Sequence, residues 1–223
     1  MVIGMVIFPS LTQLDLTGPY EVFGRMPGAK VLLIAESMAT VKSDHGLVFT
    51  PDTTFDDAPQ LDVLFVPGGN GVFAAMQNKK LITFLQTQGT TAKYVTSVCT
   101  GALVLAAAGL LNGYKATTHW LSLGLLSLFE VEVLEERVVI DRNRITGGGV
   151  TAGIDFGLYV VARIAGENAA KEIQLMMEYN PVPPFNSGSP KTADKEIVDR
   201  VTASREQIQK ERGELIKTMI AAK

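Results

Sequence analysis

The chain of 223 residues contains one cysteine, two histidines and one tryptophan. A single cysteine excludes an internal disulfide framework and a cysteine-cluster metal site, and two histidines leave little for a zinc centre. The 20 basic and 23 acidic side chains give a formal net charge of −3 at pH 7. That near balance argues against a nucleic-acid binder that relies on a basic face. We therefore expect neither a metal ion nor a nucleic-acid partner.

Long hydrophobic runs are also missing. No apolar stretch reaches the ~20 residues that a bilayer crossing needs, and the longest, residues 102–111, is interrupted by Gly109. The apolar N-terminus has no basic region before it and ends at Pro9-Ser10, which is not typical of a signal peptide. We predict a cytoplasmic protein with no membrane partner.

Hydrophobic residues nevertheless make up 47% of the chain, enough to bury a sizeable core. Short apolar runs flanked by turn residues are typical of buried parallel strands. Such runs occupy residues 2–8, 31–34, 61–66 and 94–98. Helix-compatible sequence follows at residues 18–25, 72–76 and 101–108. This alternation predicts an α/β fold with a mostly parallel sheet between two layers of helices.

The second half of the chain has a different pattern. Apolar residues alternate with charges between residues 131 and 145, and Asp141-Arg142-Asn143 favours a turn, so we predict a β-ribbon there. A helix is predicted from about residue 152 to 164. Beyond several prolines, residues 192–223 carry a helical apolar stripe. We interpret residues 1–190 as one α/β domain and residues 191–223 as its C-terminal helical arm, which caps the domain or a dimer.

Cys99 is placed where a nucleophile is expected. It follows the predicted strand 94–98, and ligands of open α/β sheets bind outside the carboxyl ends of the strands. Small residues flank it in Ser97-Val98-Cys99-Thr100-Gly101, as a sharp strand-to-helix turn requires. The N-terminus of the following helix would favour a thiolate. The alternative is a small buried hydrophobic residue.

Two neighbouring segments provide candidate partners. The glycines in Pro67-Gly68-Gly69-Asn70-Gly71 expose backbone N–H groups, which can form an oxyanion pocket. No Gly-Lys-Ser/Thr or GxGxxG sequence accompanies them, so we exclude both nucleotide-binding motifs. Asp15 lies between two leucines after the first strand. It either carries a proton in a desolvated position or caps a helix that begins near Gly18.

His119 lies close to a predicted strand-to-helix boundary. It allows two interpretations, a general base or a structural histidine at a helix start. The three glycines 147–149 connect the ribbon to the helix at residue 152, and by themselves they indicate no cofactor.

Six segments together resemble a known family. They are LTQLDLTGPYEVF (11–23), FVPGGNGV (65–72), YVTSVCTGALVLAAAGLL (94–111), ATTHW (116–120), TGGGVTAGIDFGL (146–158) and QLMMEYNPVPPFNSGSP (174–190). They resemble the ThiJ/PfpI superfamily and, within it, the isocyanide hydratases. The resemblance implies a flavodoxin-like, class I glutamine amidotransferase-like three-layer sandwich with a nucleophile-elbow cysteine.

The resemblance also implies a hydro-lyase that converts an isocyanide, R–N≡C, to an N-substituted formamide through a thioimidate. Cys99 matches the family's nucleophile, Asp15 its acidic partner and Thr100 the residue after the nucleophile. Gly69 would offer a backbone N–H group to the pocket, with Gly68 beside it. This chemistry requires neither a metal nor an organic cofactor.

Further family features follow from the same resemblance. Gly148 and Val150 fall in the linker to the helix near the nucleophile, where the family is conformationally sensitive. Family members are homodimers with the active site near the interface. Thr100 stands where PfpI-type peptidases carry a histidine, and Asp15 stands where glyoxalase- and chaperone-like branches have glutamate, so those activities fit less well.

Two other functions remain open. The segments around Cys99 and His119 also resemble the ligand-sensing domain of AraC-type transcriptional regulators. Those proteins append two helix-turn-helix units of ~100 residues, for which residues 191–223 are too few, so a stand-alone sensor is the form considered. The second alternative is a redox sensor, because a thiolate of low pKa is readily oxidised.

Overall fold

The computed structural model describes residues 1–221, in which strands and helices alternate. The strands are β1 (Val2–Val6), β2 (Lys30–Ala35), β3 (Val41–Lys42), β4 (Val48–Phe49), β5 (Thr53–Thr54), β6 (Val63–Val66), β7 (Tyr94–Val98), β8 (Lys115–Ala116), β9 (Glu132–Val133), β10 (Val138–Asp141) and β11 (Arg144–Gly147). The α-helices are α1 (Gln13–Phe23), α2 (Val72–Gln77), α3 (Lys79–Thr91), α4 (Gly101–Ala107), α5 (Leu123–Leu126), α6 (Ala152–Ala165), α7 (Glu167–Met176) and α8 (Lys195–Ala221). A 3₁₀ turn covers Trp120–Ser122.

Seven strands form the central sheet, in the order β10-β11-β7-β6-β1-β2-β5. Every neighbouring pair is parallel except β10 and β11. All four residues of β6 are buried, as expected for a central strand covered on both faces. Helices α1, α6 and α7 pack together in one group, and α2, α3 and α4 in another. The predicted α/β sandwich with a mostly parallel sheet is confirmed.

One helix begins earlier than the sequence predicted. Helix α1 starts at Gln13 rather than near Gly18, so Asp15 lies in its first turn and not in a preceding loop. Gly18 and Pro19, residue types that disfavour a helix interior, both lie inside α1 and pack against α6. A Cβ atom on Gly153 would lie 2.9 Å from Cδ of Pro19. Packing between the two helices therefore overrides the local breaker signal.

The predicted ribbon forms only in part. Strands β10 and β11 pair antiparallel with Asp141 opposite Arg144, so the connection is two residues long, and Arg142 has a positive φ of 55°. Residues 132–133 instead pair with β8 in a separate two-stranded sheet. The apolar alternation upstream of the hairpin therefore reflects a different pairing.

The carboxyl ends of three adjacent strands are level. Val66 in β6 pairs with Ser97 in β7, and Val98 in β7 pairs with Gly147 in β11. Helix α8 contacts α5 and the 3₁₀ turn, and its Ile216 is buried in the core. Residues 222 and 223 of the predicted arm lie outside the described residues. Within residues 1–221 no helix is both long and apolar enough to cross a membrane.

Candidate active site

Cys99 occupies a strained turn between β7 and α4. Its φ is 51°, in the left-handed region that non-glycine residues rarely adopt. The turn is held on both sides: the Cys99 N–H donates to the carbonyl groups of Gly147 (3.1 Å) and Gly148 (2.7 Å), and the Cys99 carbonyl accepts from the Thr118 hydroxyl (2.7 Å). Such strain persists only where the surroundings enforce it, and it is typical of functional sites.

Glycines allow the neighbouring segments to approach the elbow. A Cβ atom on Gly101 would lie 2.2 Å from the carbonyl oxygen of Val66. One on Gly68 would lie 2.5 Å from the Thr100 nitrogen and 2.8 Å from Oδ2 of Asp15. No side chain fits at either position, so the loops after β6 and β7 and the first turn of α1 meet in direct contact.

Asp15 is fully buried beside Cys99. Its Oδ2 accepts a hydrogen bond from the Gly68 N–H at 3.0 Å, while Oδ1 has no partner of regular geometry among residues 1–221. Burial raises the pKa of Asp15 to about 7; the Cys99 thiol and the Gly68 N–H lower it, and the charge of Asp44 raises it. Among residues 1–221, the N-cap residue of α1 is Thr12, and the hydrogen bond that Asp15 accepts comes from Gly68 rather than from a backbone N–H of the helix. The carboxyl group is therefore poised to exchange a proton near neutral pH.

The Cys99 thiol is buried as well. Burial, followed by the charge of Asp15, raises its pKa well above the ordinary value, although the Thr100 N–H acts in the opposite direction. The resting thiol therefore keeps its proton, in contrast to the expected thiolate. Helix α4 is only seven residues long, and its N-terminus does not offset the cost of burying the anion.

The backbone N–H groups of the glycine loop are engaged. The Gly68 N–H holds Asp15, and the Gly69 N–H donates to the Thr100 hydroxyl at 3.0 Å. Gly69 has a φ of 136°. We expected both to be free donors to a ligand; in the structure they position the acid and the residue after the nucleophile.

Cys99 opens onto a cavity of about 240 Å³. Part of its wall comes from α8, which sequence analysis did not connect to the site. The lining residues are Thr12, Asp44, His45, Gly69, Asn70, Cys99, Thr100, His119, Leu121, Ser122, Val150, Arg205, Ile208, Gln209 and Arg212. The spacing 205, 208, 209 and 212 signals one helix face, but nothing local indicates what that face covers.

The other predicted positions surround the elbow. Val150 lines the cavity, and Gly148 accepts from the Cys99 N–H. Nδ1 of His119 accepts from the Leu121 N–H at 3.3 Å, so His119 caps the 3₁₀ turn and its proton is assigned to Nε2. Burial, then the charges of Arg212 and Arg205, lowers the pKa of His119. A neutral, capping imidazole matches the structural interpretation.

Residues 1–221 contain no group of three or more His, Cys, Asp or Glu side chains arranged to hold a metal ion. The chemistry available at the site is thus a thiol, a carboxyl group that titrates near pH 7, and a positively charged wall formed by α8.

The sequence matches proteins of known function. It is 49% identical over 197 residues to the isonitrile hydratase of Pseudomonas putida, covering 88% of this chain and 86% of that protein. It is also 37% identical over 141 residues to the HTH-type transcriptional regulator GbdR of Pseudomonas aeruginosa, covering 62% of this chain and 38% of the regulator.

Solved structures and a family model give the same classification. A ThiJ/PfpI family protein from Pseudomonas syringae superposes with a TM-score of 0.94 at 46% identity, covering 96% of this chain and 90% of that one. Drosophila melanogaster DJ-1beta superposes with a TM-score of 0.72 at 23% identity, covering 79% and 97%, which is a likeness of fold alone. The DJ-1/PfpI family model matches residues 1–163, the part that holds Cys99 and Asp15. The chain therefore belongs to the DJ-1/PfpI family.

Proposed function

We propose that the protein hydrates isocyanides to N-substituted formamides, with Cys99 as nucleophile and Asp15 as proton donor and acceptor. The observation that carries the proposal is the buried Asp15 carboxyl group beside the Cys99 thiol, with a pKa of about 7. The 49% identity to the Pseudomonas putida isonitrile hydratase over most of both chains supports the same reaction.

The first step forms a carbon–sulfur bond. When the Cys99–Asp15 pair holds one proton, transfer within the pair gives a thiolate next to a neutral acid. The sulfur attacks the terminal isocyanide carbon and Asp15 delivers its proton to that carbon, which yields the thioimidate R–N=CH–S–Cys99. Two adjacent anions would repel, so a shared proton is the self-consistent starting state.

The second step consumes water. The Asp15 carboxylate removes a proton from water as the oxygen attacks the thioimidate carbon, and Asp15 passes that proton to the nitrogen, which gives R–NH–CH(OH)–S–Cys99. The C–S bond then breaks as the hydroxyl group loses its proton to the departing Cys99 sulfur, so the formamide R–NH–CHO leaves and the Cys99–Asp15 pair again holds one proton. One isocyanide and one water give one formamide without any change of redox state at the protein, so the cycle requires no organic cofactor or metal.

The surrounding residues hold this geometry. The Gly68 N–H fixes Oδ2 of Asp15, and Thr100 donates its N–H towards the Cys99 sulfur while its hydroxyl accepts from Gly69. Gly148 holds the Cys99 backbone. Thr100, Gly68, Gly69 and Gly148 are thus positioning residues in this proposal.

The proposal extends to assembly and location. A homodimer is supported by large apolar side chains exposed near the end of α7 and after it, at Leu175, Met176, Val182 and Phe185. A cytoplasmic location suits a catalytic free thiol, which a reducing compartment preserves. The net charge of −3 gives no reason to expect a nucleic-acid partner.

A sensor domain is the second candidate, because GbdR is 37% identical over 141 residues. A binding pocket does not need an acid at pKa about 7 next to a thiol, whereas a hydratase does. The buried pair therefore favours the enzyme.

The test is formamide formation from a simple alkyl isocyanide by the purified protein, beside Cys99→Ala. We expect turnover in the wild type and a loss of at least about 10³-fold in the variant, since removal of a nucleophile abolishes the covalent route. Circular dichroism should show the same fold in both proteins. Turnover by Cys99→Ala at nearly the wild-type rate would overturn the assignment of Cys99 as nucleophile. A wild-type protein that is folded but forms no formamide would favour the sensor function.

A further inference from the structure

Helix α8 presents a positively charged face to the Cys99 cavity. Arg205, Ile208, Gln209 and Arg212 line the cavity, and their spacing puts them on one side of the helix over two turns. This face lines the same cavity as Cys99 and Thr100 of the elbow. Its charge thus belongs to the environment of whatever binds at Cys99.

Arg212 is a buried cation that has no counter-ion among residues 1–221. It is 5% exposed, and its guanidinium stacks over the Phe73 ring at 5.1 Å from the centroid. Its Nη2 donates to the Gly69 carbonyl at 3.3 Å, and its Nε has no hydrogen-bond partner in the described part of the chain. No carboxylate among residues 1–221 lies within ion-pair distance of it. Burying a guanidinium in this way is costly unless an anion completes the site.

The other charged groups of the cavity do not neutralise Arg212. Asp44 also lines the cavity, but its Oδ2 accepts from the Thr12 hydroxyl and its Oδ1 is buried with no hydrogen-bond partner among the residues that the structure describes. Arg205 adds a second positive charge, and His119 is neutral. Arg212 and Cys99 line the same cavity, so one ligand can reach both the cation and the nucleophile.

We propose that the cavity selects small isocyanides that carry a carboxylate, which Arg212 binds while the isocyanide carbon lies at Cys99. This inference rests on the proposed hydration for the reaction, but the carboxylate site itself does not. A guanidinium matches a carboxylate with two parallel charge-assisted hydrogen bonds, and the Arg212 side chain lines the cavity that Cys99 also lines. A volume of about 240 Å³ suits a compact molecule such as an isocyano acid rather than a drug-sized one.

Turnover of paired substrates tests the selection. Isocyanoacetate and its methyl ester differ in the charge at one end, so their ratio of kcat/KM reports recognition of the carboxylate. We expect the wild type to favour isocyanoacetate and Arg212→Met to lower the ratio about 10- to 100-fold, as for loss of hydrogen bonds to a charged group. Arg212→Lys, which keeps the charge but not the fork, should give an intermediate ratio.

Arg200→Met is the matched control, because Arg200 is exposed on the same helix and does not line the cavity. It should leave the ratio at the wild-type value. A wild type that favours the ester, or an Arg212→Met variant with an unchanged ratio, overturns the proposal.

Direct binding separates the two proposals. N-formylglycine, the expected product of isocyanoacetate, and its uncharged amide are titrated into Cys99→Ala protein by calorimetry, with and without Arg212→Met. We expect tighter binding of N-formylglycine that depends on Arg212. Arg212-dependent binding without turnover of either isocyanide would refute hydration and leave the carboxylate site standing. Turnover of the isocyanides together with equal binding of N-formylglycine and its amide would support hydration and refute the carboxylate site.

Discussion

At the scale of single residues, Asp15 works against the stability of the fold at neutral pH. Its pKa is 3.8 in a model peptide and about 7 in the folded protein, because burial disfavours the charged form. The folded state therefore holds this proton more tightly than the unfolded state. Stability associated with Asp15 is fully present below about pH 3.8 and is lost as the pH rises through about 7.

Asp15→Asn should accordingly stabilise the protein more at pH 8 than at pH 5. The amide cannot ionise, and its oxygen can still accept from the Gly68 N–H. We expect the difference in free energy of unfolding between variant and wild type to grow by about 2–3 kcal/mol over that interval. Urea denaturation at the two pH values measures it. The same variant should lose kcat for isocyanide hydration, since the amide supplies no proton to the carbon.

Asp62→Asn is the control for this prediction. Asp62 pairs with Lys93 and accepts from the Val2 N–H, and these interactions lower its pKa. Its carboxylate is thus ionised in both states from pH 5 to 8, so the effect of Asp62→Asn should be the same at both values. An Asp15→Asn effect equally independent of pH would show that Asp15 is not protonated in the folded protein.

Single residues also show which parts of the candidate site can be predicted from the sequence. Cys99 and Asp15 could be predicted as candidates because local signals identify them: the end of an apolar strand, small neighbours and a carboxylate between leucines. Arg212 could not, because its partner Gly69 is 143 residues away and only the folded path of α8 brings them together. The engagement of the Gly68 and Gly69 N–H groups likewise depends on side chains from other elements.

At the scale of elements, the elbow depends on close contact between β6 and α4. Gly101→Ala would place a methyl group 2.2 Å from the Val66 carbonyl oxygen, in a fully buried strand that cannot shift freely. We expect this substitution to destabilise the fold by about 1–3 kcal/mol and to reduce turnover by displacing Cys99. Thermal unfolding and the isocyanide assay measure the two effects.

Gly124→Ala is the matched substitution in another helix, where a Cβ atom would meet nothing within 4 Å. It should leave stability unchanged or raise it by up to about 1 kcal/mol, since alanine restricts the unfolded chain. If the two variants behaved alike, the contact at Gly101 would not limit the elbow.

Strands and helices could be predicted from the sequence where the local hydrophobic pattern and the tertiary packing favour the same structure. The strands at residues 63–66 and 94–98 are short apolar runs that must be buried, and each lies within or matches its predicted range. The predicted start of α1, near Gly18, was wrong. Gly18 and Pro19 disfavour a helix interior in isolation, but here both lie inside α1 and pack against α6. Local propensity is a weak guide where two helices pack closely.

At the scale of the whole molecule, the exposed apolar cluster of Leu175, Met176, Val182 and Phe185 has no cover within the described chain. Leu175 is 82% and Phe185 77% exposed, more than a monomer normally leaves to water for such large side chains close in sequence. Prolines 181, 183 and 184 restrict the intervening backbone, so ordering this segment against a partner costs less entropy. Both properties favour contact with a second copy.

We therefore expect the protein to sediment as a homodimer at micromolar concentration, and Leu175→Ser with Phe185→Ser to weaken the dimer. Burying a large apolar side chain contributes about 1.5–3 kcal/mol, and every 1.4 kcal/mol is tenfold in the dissociation constant, so the loss should exceed tenfold. Met38→Ser removes an apolar side chain that is 54% exposed in the loop after β2 and should leave the dimer intact. Sedimentation velocity over a concentration series distinguishes the three proteins. A wild type that stays monomeric would refute the homodimer. Equal weakening of the dimer by Met38→Ser would place the dimer contact elsewhere, because burial of the apolar side chains at Leu175 and Phe185 is the reason for expecting the two variants to differ.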